Sequence, residues 1–310
     1  MTQESGGTVP ASTVPASTVR GPRLSGLPAA ERCLVMGVVN VTPDSFSDGG
    51  HWLDPDKAIA HGLELASQGA DIIDVGGEST RPGAQRVPMD EELGRVLPVV
   101  AALAQAGCRV SIDTMRAEVA TSALAAGAVM VNDVSGGQAD PGMAAVIAAA
   151  GVPYIVTHWR GHSADMYGPA VYADVVAEVR AELDQRVHAL VAAGVDPGQL
   201  ILDPGLGFAK LPEHNWKLLG SLDRVARLPG YPESFPVLVA ASRKGFLGKL
   251  LGGPAGVPRS FARSDDATIA VTALAAAAGA WCVRVHAVPG NLDATVVAAR
   301  WRQETMAGAR

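Results

Sequence analysis

The sequence predicts a (β/α)8 TIM barrel, a single α/β domain behind an N-terminal tail. Three observations point to it: short Val/Ile-rich runs that are apolar throughout, longer segments of helical spacing between them, and polar residues gathered where the short runs end. Strands apolar on both faces, alternating with helices, imply a parallel sheet covered by helices. Eight such units within residues 31–310 match the barrel, for which roughly 250 residues is typical. An open doubly wound sheet is the alternative, but it would place a Gly-rich phosphate turn after its first strand, and none is present.

Residues 1–30 read as a disordered tail. TVPAS occurs at Thr8–Ser12 and again at Thr13–Ser17, within a stretch rich in Pro, Ser, Thr and Gly. Such a segment has too little apolar surface to offset its ordering entropy. It also lacks the basic start and unbroken apolar stretch of a signal peptide. The barrel then occupies residues 31–310, with strands expected at Leu34–Val39, Asp71–Val75, Arg109–Ile112, Val129–Val131, Tyr154–Val156, Leu200–Leu202, Val237–Val239 and Cys282–Val285. The clearest helix is expected over Val171–Val191. There Val171, Val175, Val179, Leu183, Val187 and Val191 recur every four residues as one apolar stripe.

Composition narrows the partners. The 310 residues carry 25 basic and 31 acidic side chains, a net charge of −6, with 48 % apolar and 18 % charged residues. An acidic chain without basic clusters is poorly suited to nucleic acid or an anionic membrane. The apolar run Ile269–Ala280 is too short for a membrane span. Cys33, Cys108 and Cys282 show neither disulfide nor zinc spacing, which suits a reducing cytoplasm.

In a barrel, chemistry sits where strands end and βα loops begin. Asn40 stands at the first such end, Asp113 at the third, and Asn132 with Asp133 at the fourth. Thr157, His158 and Trp159 follow the fifth, Asp203 ends the sixth, Ser242, Arg243 and Lys244 the seventh, and Arg284 and His286 the eighth. Taken singly, Asn40 and Asn132 fit the capping of a following helix, and Asp113 and Asp203 the binding of loop amides. As a set, idle polar groups on one rim are costly to desolvate, which favours a binding site. Asp113, Asn132 and Asp203 suit a flat, donor-rich heterocycle such as a 2-amino-4-oxo-pyrimidine ring. Lys244, Arg284, His286 and Arg81 suit phosphate or carboxylate. Asn40 beside an anionic ligand could complete a Mg²⁺ site made mostly of water and phosphate oxygen. No Ser–His–Asp order or metal-binding His pair favours hydrolysis.

The segments NVTPDSFSDGG (Asn40–Gly50), DVGGESTRPG (Asp74–Gly83), SIDT (Ser111–Thr114), NDVSGG (Asn132–Gly137), LDPGLGF (Leu202–Phe208), SRKGFLG (Ser242–Gly248) and VRVH (Val283–His286) together resemble dihydropteroate synthase. The texture around His158–Arg160 and His214–Trp216 is similar to the actinobacterial branch. The resemblance implies an alkyl or aryl transferase that joins (7,8-dihydropterin-6-yl)methyl diphosphate to 4-aminobenzoate, giving dihydropteroate and diphosphate. It implies that Thr80, Asp113, Asn132, Asp203, Lys244, Arg284 and His286 bind the pterin diphosphate, with Asp113, Lys244, Arg284 and His286 as the catalytic set. Phe46, Thr80, Arg81, Pro82, Phe208 and Ser242 would shape the aminobenzoate pocket, and Asn40 would hold Mg²⁺. It further implies a homodimer and sulfonamides as inhibitors. The tail and the segment 252–263 depart from the family pattern without touching a motif.

Two rivals use the same barrel. A methyltetrahydrofolate-type methyltransferase shares the pterin-reading Asp and Asn but has no use for the intact DSFSDGG and SRK segments. A non-catalytic pterin-binding paralogue would carry degraded loops. The first two loops, with Pro43, Gly49, Gly50, Pro82 and Gly83, are expected to be mobile until a ligand orders them. The aminobenzoate pocket would then form only after the pterin diphosphate has bound.

Overall fold

Side chains along a strand alternate between two faces, and in this chain that parity separates packing from chemistry. The computed structural model describes residues 24–42, 55–79, 86–161, 170–252, 257 and 264–307. Its strands are β1 (Leu34–Asn40), β2 (Ile72–Gly76), β3 (Val110–Asp113), β4 (Met130–Asp133), β5 (Tyr154–Thr157), β6 (Leu200–Asp203), β7 (Leu238–Val239) and β8 (Cys282–Val285). All pair in parallel, in the order β6-β5-β4-β3-β2-β1-β8-β7. A bridge between Leu202 and Val237 closes the seam, where the Leu202 N–H donates to the Pro236 carbonyl at 2.9 Å. The (β/α)8 barrel expected from the sequence is therefore the fold.

Around the barrel run α1 (Pro55–Ser67), α2 (Met89–Gln105), α3 (Ala117–Ala125), α4 (Met143–Ala150), α5 (Val175–Ala192), α6 (Pro212–Leu219), α7 (Leu222–Ala226), α8 (Gly245–Leu250), α9 (Asp265–Ala277) and α10 (Pro289–Ala307). Strand residues of one parity, including Val35, Ile73, Ile112, Val131, Val156, Leu202 and Val283, share a core with these helices. Residues of the other parity face the lumen. Leu34, Met36, Ile72, Met130, Ile155, Ile201, Leu238 and Cys282 form a second, separate apolar cluster there. Two positions further along their strands, Ile72 gives way to Asp74, Met130 to Asn132, Ile155 to Thr157, Ile201 to Asp203 and Cys282 to Arg284. The lumen is thus sealed by hydrocarbon at one end and polar at the other.

Two expectations need correction. Leu24, only 5 % exposed, packs into the lumen cluster with Leu27 against it, so the fold begins ahead of residue 31. The expectation of disorder for residues 1–23 lies outside the described residues. The helix expected from Val171 begins instead at Val175, because Asp174 caps it: its Oδ1 accepts from the N–H groups of Val176 (3.0 Å) and Ala177 (3.1 Å). Glu178 answers by accepting from the N–H of Asp174 at 3.0 Å. A four-residue repeat drifts by about 40° per step on a helix of 3.6 residues per turn, so one stripe cannot face the core throughout. Val171 is accordingly 78 % exposed, and Leu190 replaces Val191 in the buried face.

Candidate active site

The polar end of the lumen is organised by one guanidinium. Arg284 on β8 donates through Nε to Asp74 Oδ2 (2.6 Å) and through Nη2 to Asp113 Oδ2 (2.7 Å). Asn132 on β4 donates Nδ2–H to the same Asp74 oxygen at 3.0 Å. The other carboxylate oxygen, Asp74 Oδ1, is buried without a hydrogen-bond partner in the protein. An orphaned buried carboxylate oxygen is costly unless a donor meets it, so the constellation is complementary to a ligand bearing N–H groups. Burial pushes Asp113 up to about 7, against the pull of Arg284, which favours its charged form.

Asp203 ends β6 opposite this group. Its Oδ1 accepts from the Gly205 N–H at 2.7 Å, and burial raises its pKa while Lys244 lowers it. Gly205 has φ +66°, and a Cβ there would stand 2.2 Å from the His158 carbonyl oxygen, so only glycine makes this turn. Lys244 donates to the Leu206 carbonyl and lies 4.6 Å from the centre of the Phe208 ring. Burial lowers its ammonium to about 8, with Asp203 resisting the shift.

The seventh strand end is aimed by local strain. Arg243 adopts φ +56°, a left-handed conformation that non-glycine residues avoid. Its guanidinium is held away from the lumen by two hydrogen bonds to Asp265 on α9, at 2.9 Å each. Its neighbours Ser242 and Lys244 turn inward. Ser242 Oγ lies 3.0 Å from His286 Nδ1 and accepts from the His286 N–H at 3.3 Å.

The structure therefore brings Asp113, Asn132, Asp203, Ser242, Lys244, Phe208, Arg284 and His286 to one end of the barrel. Asn40 ends β1 in register with Gly76. Asp133, also at a strand end, points the other way: it accepts from the Ser135 N–H (2.7 Å), the Gly137 N–H (2.9 Å) and the Tyr154 hydroxyl (2.8 Å) and shapes its loop. Phe46, Thr80, Arg81 and Pro82 lie outside the described residues, as do the loops expected to be mobile.

Sequence reasoning missed three features. Asp74 opens the DVGGESTRPG segment and was passed over, yet a carboxylate on the lumen parity of an otherwise apolar strand was signal enough. The second is Lys210, which is buried and donates to the Phe208 carbonyl at 3.0 Å. The third is a charged cluster at the stem of the second loop. Glu92, buried, accepts from Thr114 Oγ1 (2.6 Å) and from Arg116; Arg116 also binds the Val87 carbonyl (2.6 Å), and Arg95 binds the Gly77 carbonyl (2.8 Å).

Among the described residues, no group of three or more His, Cys, Asp and Glu side chains is arranged to hold a metal ion. Asn40, which ends β1, carries a neutral amide, a ligand type that Mg²⁺ accepts beside phosphate oxygen and water.

Comparison with known proteins agrees with this chemistry. The family model described as "Pterin binding enzyme" matches residues 36–286. A dihydropteroate synthase of Mycobacterium leprae is 54 % identical over 268 residues, covering 86 % of this chain and 93 % of that protein. Among solved structures, Xanthomonas albilineans dihydropteroate synthase with 4-aminobenzoic acid superposes with a TM-score of 0.77 at 42 % identity, covering 88 % of this chain and 93 % of that one. The Yersinia pestis enzyme with a sulfonamide drug superposes with a TM-score of 0.81 at 38 % identity, covering 90 % and 98 %.

Proposed function

Because the chain belongs to the family of pterin binding enzymes and is a dihydropteroate synthase by its relatives, we propose how its own residues divide the labour of that reaction. The enzyme condenses (7,8-dihydropterin-6-yl)methyl diphosphate with 4-aminobenzoate in folate biosynthesis. In our reading, Asp113, Asn132, Asp203 and Lys244 hold the pterin. Arg284 and His286, assisted by Arg81 and Thr80, face the diphosphate. Phe46, Thr80, Arg81, Pro82, Phe208 and Ser242 shape the aminobenzoate pocket, where sulfonamides compete. The observation that carries the reading is the Asp74–Arg284–Asp113 group, with Asn132 and an unmet carboxylate oxygen, facing Asp203 and Lys244 across the polar end of the lumen.

The reaction needs no protein nucleophile. The bond between the pterin methylene carbon and the diphosphate oxygen breaks, and its electron pair leaves with diphosphate. Arg284 and His286 offset the growing negative charge. The methylene is left cationic, conjugated with the electron-rich ring and stabilised by the Asp113 carboxylate. The aniline nitrogen of aminobenzoate then bonds to the methylene and releases a proton. Mg²⁺, when bound, adds charge neutralisation at the leaving diphosphate, and Asn40 would be the residue that holds it.

Asp203→Asn tests the pterin assignment. Losing a charged acceptor at a buried strand end is expected to weaken pterin diphosphate by about 1.5–3 kcal/mol, with the barrel still folded. Calorimetry decides; unchanged affinity would sink the assignment.

A homodimer is part of the same proposal. α9 and α10 pack together and present Leu274, Val297 and Trp301 outward, the last 72 % exposed. A Trp left in water on an apolar helix face suits a second copy of this chain. Trp301→Glu is expected to convert dimer to monomer in light scattering; a mass that does not change would discard this face. No helix among the described residues is long and apolar enough to cross a membrane. The cytoplasmic placement rests on Cys33, Cys108 and Cys282 being free thiols.

A further inference from the structure

The loop between β6 and α6 lies outside the sheet and the helices, so its backbone carbonyls must find donors elsewhere. Side chains supply them in sequence. Lys244 donates to the Leu206 carbonyl, Lys210 to the Phe208 carbonyl at 3.0 Å, the Tyr172 hydroxyl to the Ala209 carbonyl at 3.0 Å and Asn215 to the Leu211 carbonyl at 2.9 Å. Asn215 also accepts from the Gly207 N–H at 2.7 Å. Ala209 is held at φ +47°, in the left-handed region that alanine avoids. Such a backbone persists only where its surroundings over-determine it.

The donors to Phe208 and Ala209 are both steered by one carboxylate, Glu182 on α5. Its Oε2 lies 2.9 Å from His158 Nε2, and His158 Nδ1 lies 2.8 Å from Lys210 Nζ. Arg160 donates Nε to the same carboxylate at 3.1 Å and lays its guanidinium 3.9 Å over the centre of the Tyr172 ring. The His214 ring meets Tyr172 edge-on, with 5.0 Å between centres. Burial, with Lys210 beside it, lowers His158 to about 4, so near pH 7 its neutral ring turns a bare Nδ1 to Lys210 and Nε2–H to Glu182. Burial also lowers Lys210 to about 7. Its part in the clasp does not depend on that charge. Ammonium and amine alike have N–H groups enough for both the ring nitrogen and the carbonyl.

We propose that Lys210 and Tyr172, both directed by Glu182, are positioning residues that fix the Phe208 ring as a wall of the aminobenzoate pocket. The proposal rests on the reading that Phe208 lines that pocket. Leu206 and Ala209 are buried, whereas Phe208 between them is only half-buried and has Lys244 Nζ 4.6 Å from its ring centre, at the polar end of the lumen. The clasp thus grips the backbone on the side of the loop that faces the protein and leaves the ring toward the site. A ring carried on a loop swings with any rotation of its backbone. Two successive carbonyls pinned by side chains remove that freedom, so the second substrate meets a surface that needs no ordering when it binds.

The test is steady-state kinetics of the full chain, with 4-aminobenzoate varied at saturating pterin diphosphate, beside calorimetry with (7,8-dihydropterin-6-yl)methanol. Tyr172→Phe removes one hydroxyl and keeps the ring for Arg160 and His214. It should raise the KM for aminobenzoate about tenfold, the lower end of what an apolar pocket contact discriminates. Unchanged kcat and unchanged pterin affinity should accompany it, the pattern of lost uniform binding. Lys210→Met should act the same way through the other carbonyl; if it does not fold in a thermal melt, Tyr172→Phe decides. In a folded variant, a KM that stays in place, or a pterin affinity that falls in step with it, overturns the inference. Phe208→Ala keeps the two readings apart. If it leaves the aminobenzoate KM intact, the pocket assignment fails; if it raises KM while Tyr172→Phe and Lys210→Met do not, only the positioning role fails.

Discussion

Replacing Arg284 with Met is expected to destabilise the barrel by about 3–5 kcal/mol at pH 8, the range for removing one partner of a buried ion pair. The variant leaves Asp74 and Asp113 facing each other without the guanidinium that both contact. The penalty should depend on pH with a definite sign. Asp113 has a folded pKa of about 7, above the usual carboxylate value of 3.8. Its contribution to stability is thus fully present below about 4 and lost as pH rises through about 7. Without Arg284 the folded pKa rises further, so the loss extends to higher pH and the gap between wild type and variant widens from pH 5 to pH 8. Urea denaturation midpoints at the two pH values read this directly. A gap that is small, or the same at both, would mean that Arg284 serves its ligand and not the fold.

The second large effect is catalytic. Asp113→Asn should lower kcat by about 10²–10³-fold, as removal of one preorganised charge-stabilising group does. The amide keeps an oxygen for Arg284 Nη2, so the fold and most pterin affinity should survive. The wild-type kcat should fall on the acid side of about pH 7, where Asp113 becomes protonated and no longer faces the cationic methylene with charge. That limb should vanish in the variant. Steady-state kinetics from pH 5.5 to 8.5 separate the outcomes. A variant that loses KM and not kcat would place Asp113 in ground-state binding alone.

The barrel was legible in the sequence because its strands are buried on both faces and its polar residues stop at a shared boundary. Leu34–Asn40 and Cys282–Val285 could be placed within a residue on their Val-rich, apolar character alone. The start of α5 could not, since apolar spacing continued through Val171 while Asp174 set the end by hydrogen bonding to backbone. Leu24 was overlooked because composition averages over a window, and one apolar residue can fill the end of a lumen. Within the site, residues that end strands were visible from position. Asp74 lies one turn of the pleat below the rim, and Lys210 reaches back from a loop. Their roles depend on contacts with Arg284 on β8 and with His158 after β5, which local sequence does not encode.

The two parities of the strands also bear on how such an enzyme can change over generations. A point substitution on the lumen side alters what the barrel recognises, while every helix keeps the surface it rests on. A deletion of one strand residue does the opposite. It would carry Asp74 or Asp203 outward into the helical layer and bring Val75 or Leu202 into the ligand chamber, losing fold and chemistry in one step. Variation in this lineage should therefore accumulate as side-chain replacement at fixed strand length, with changes of chain length confined to the connecting loops.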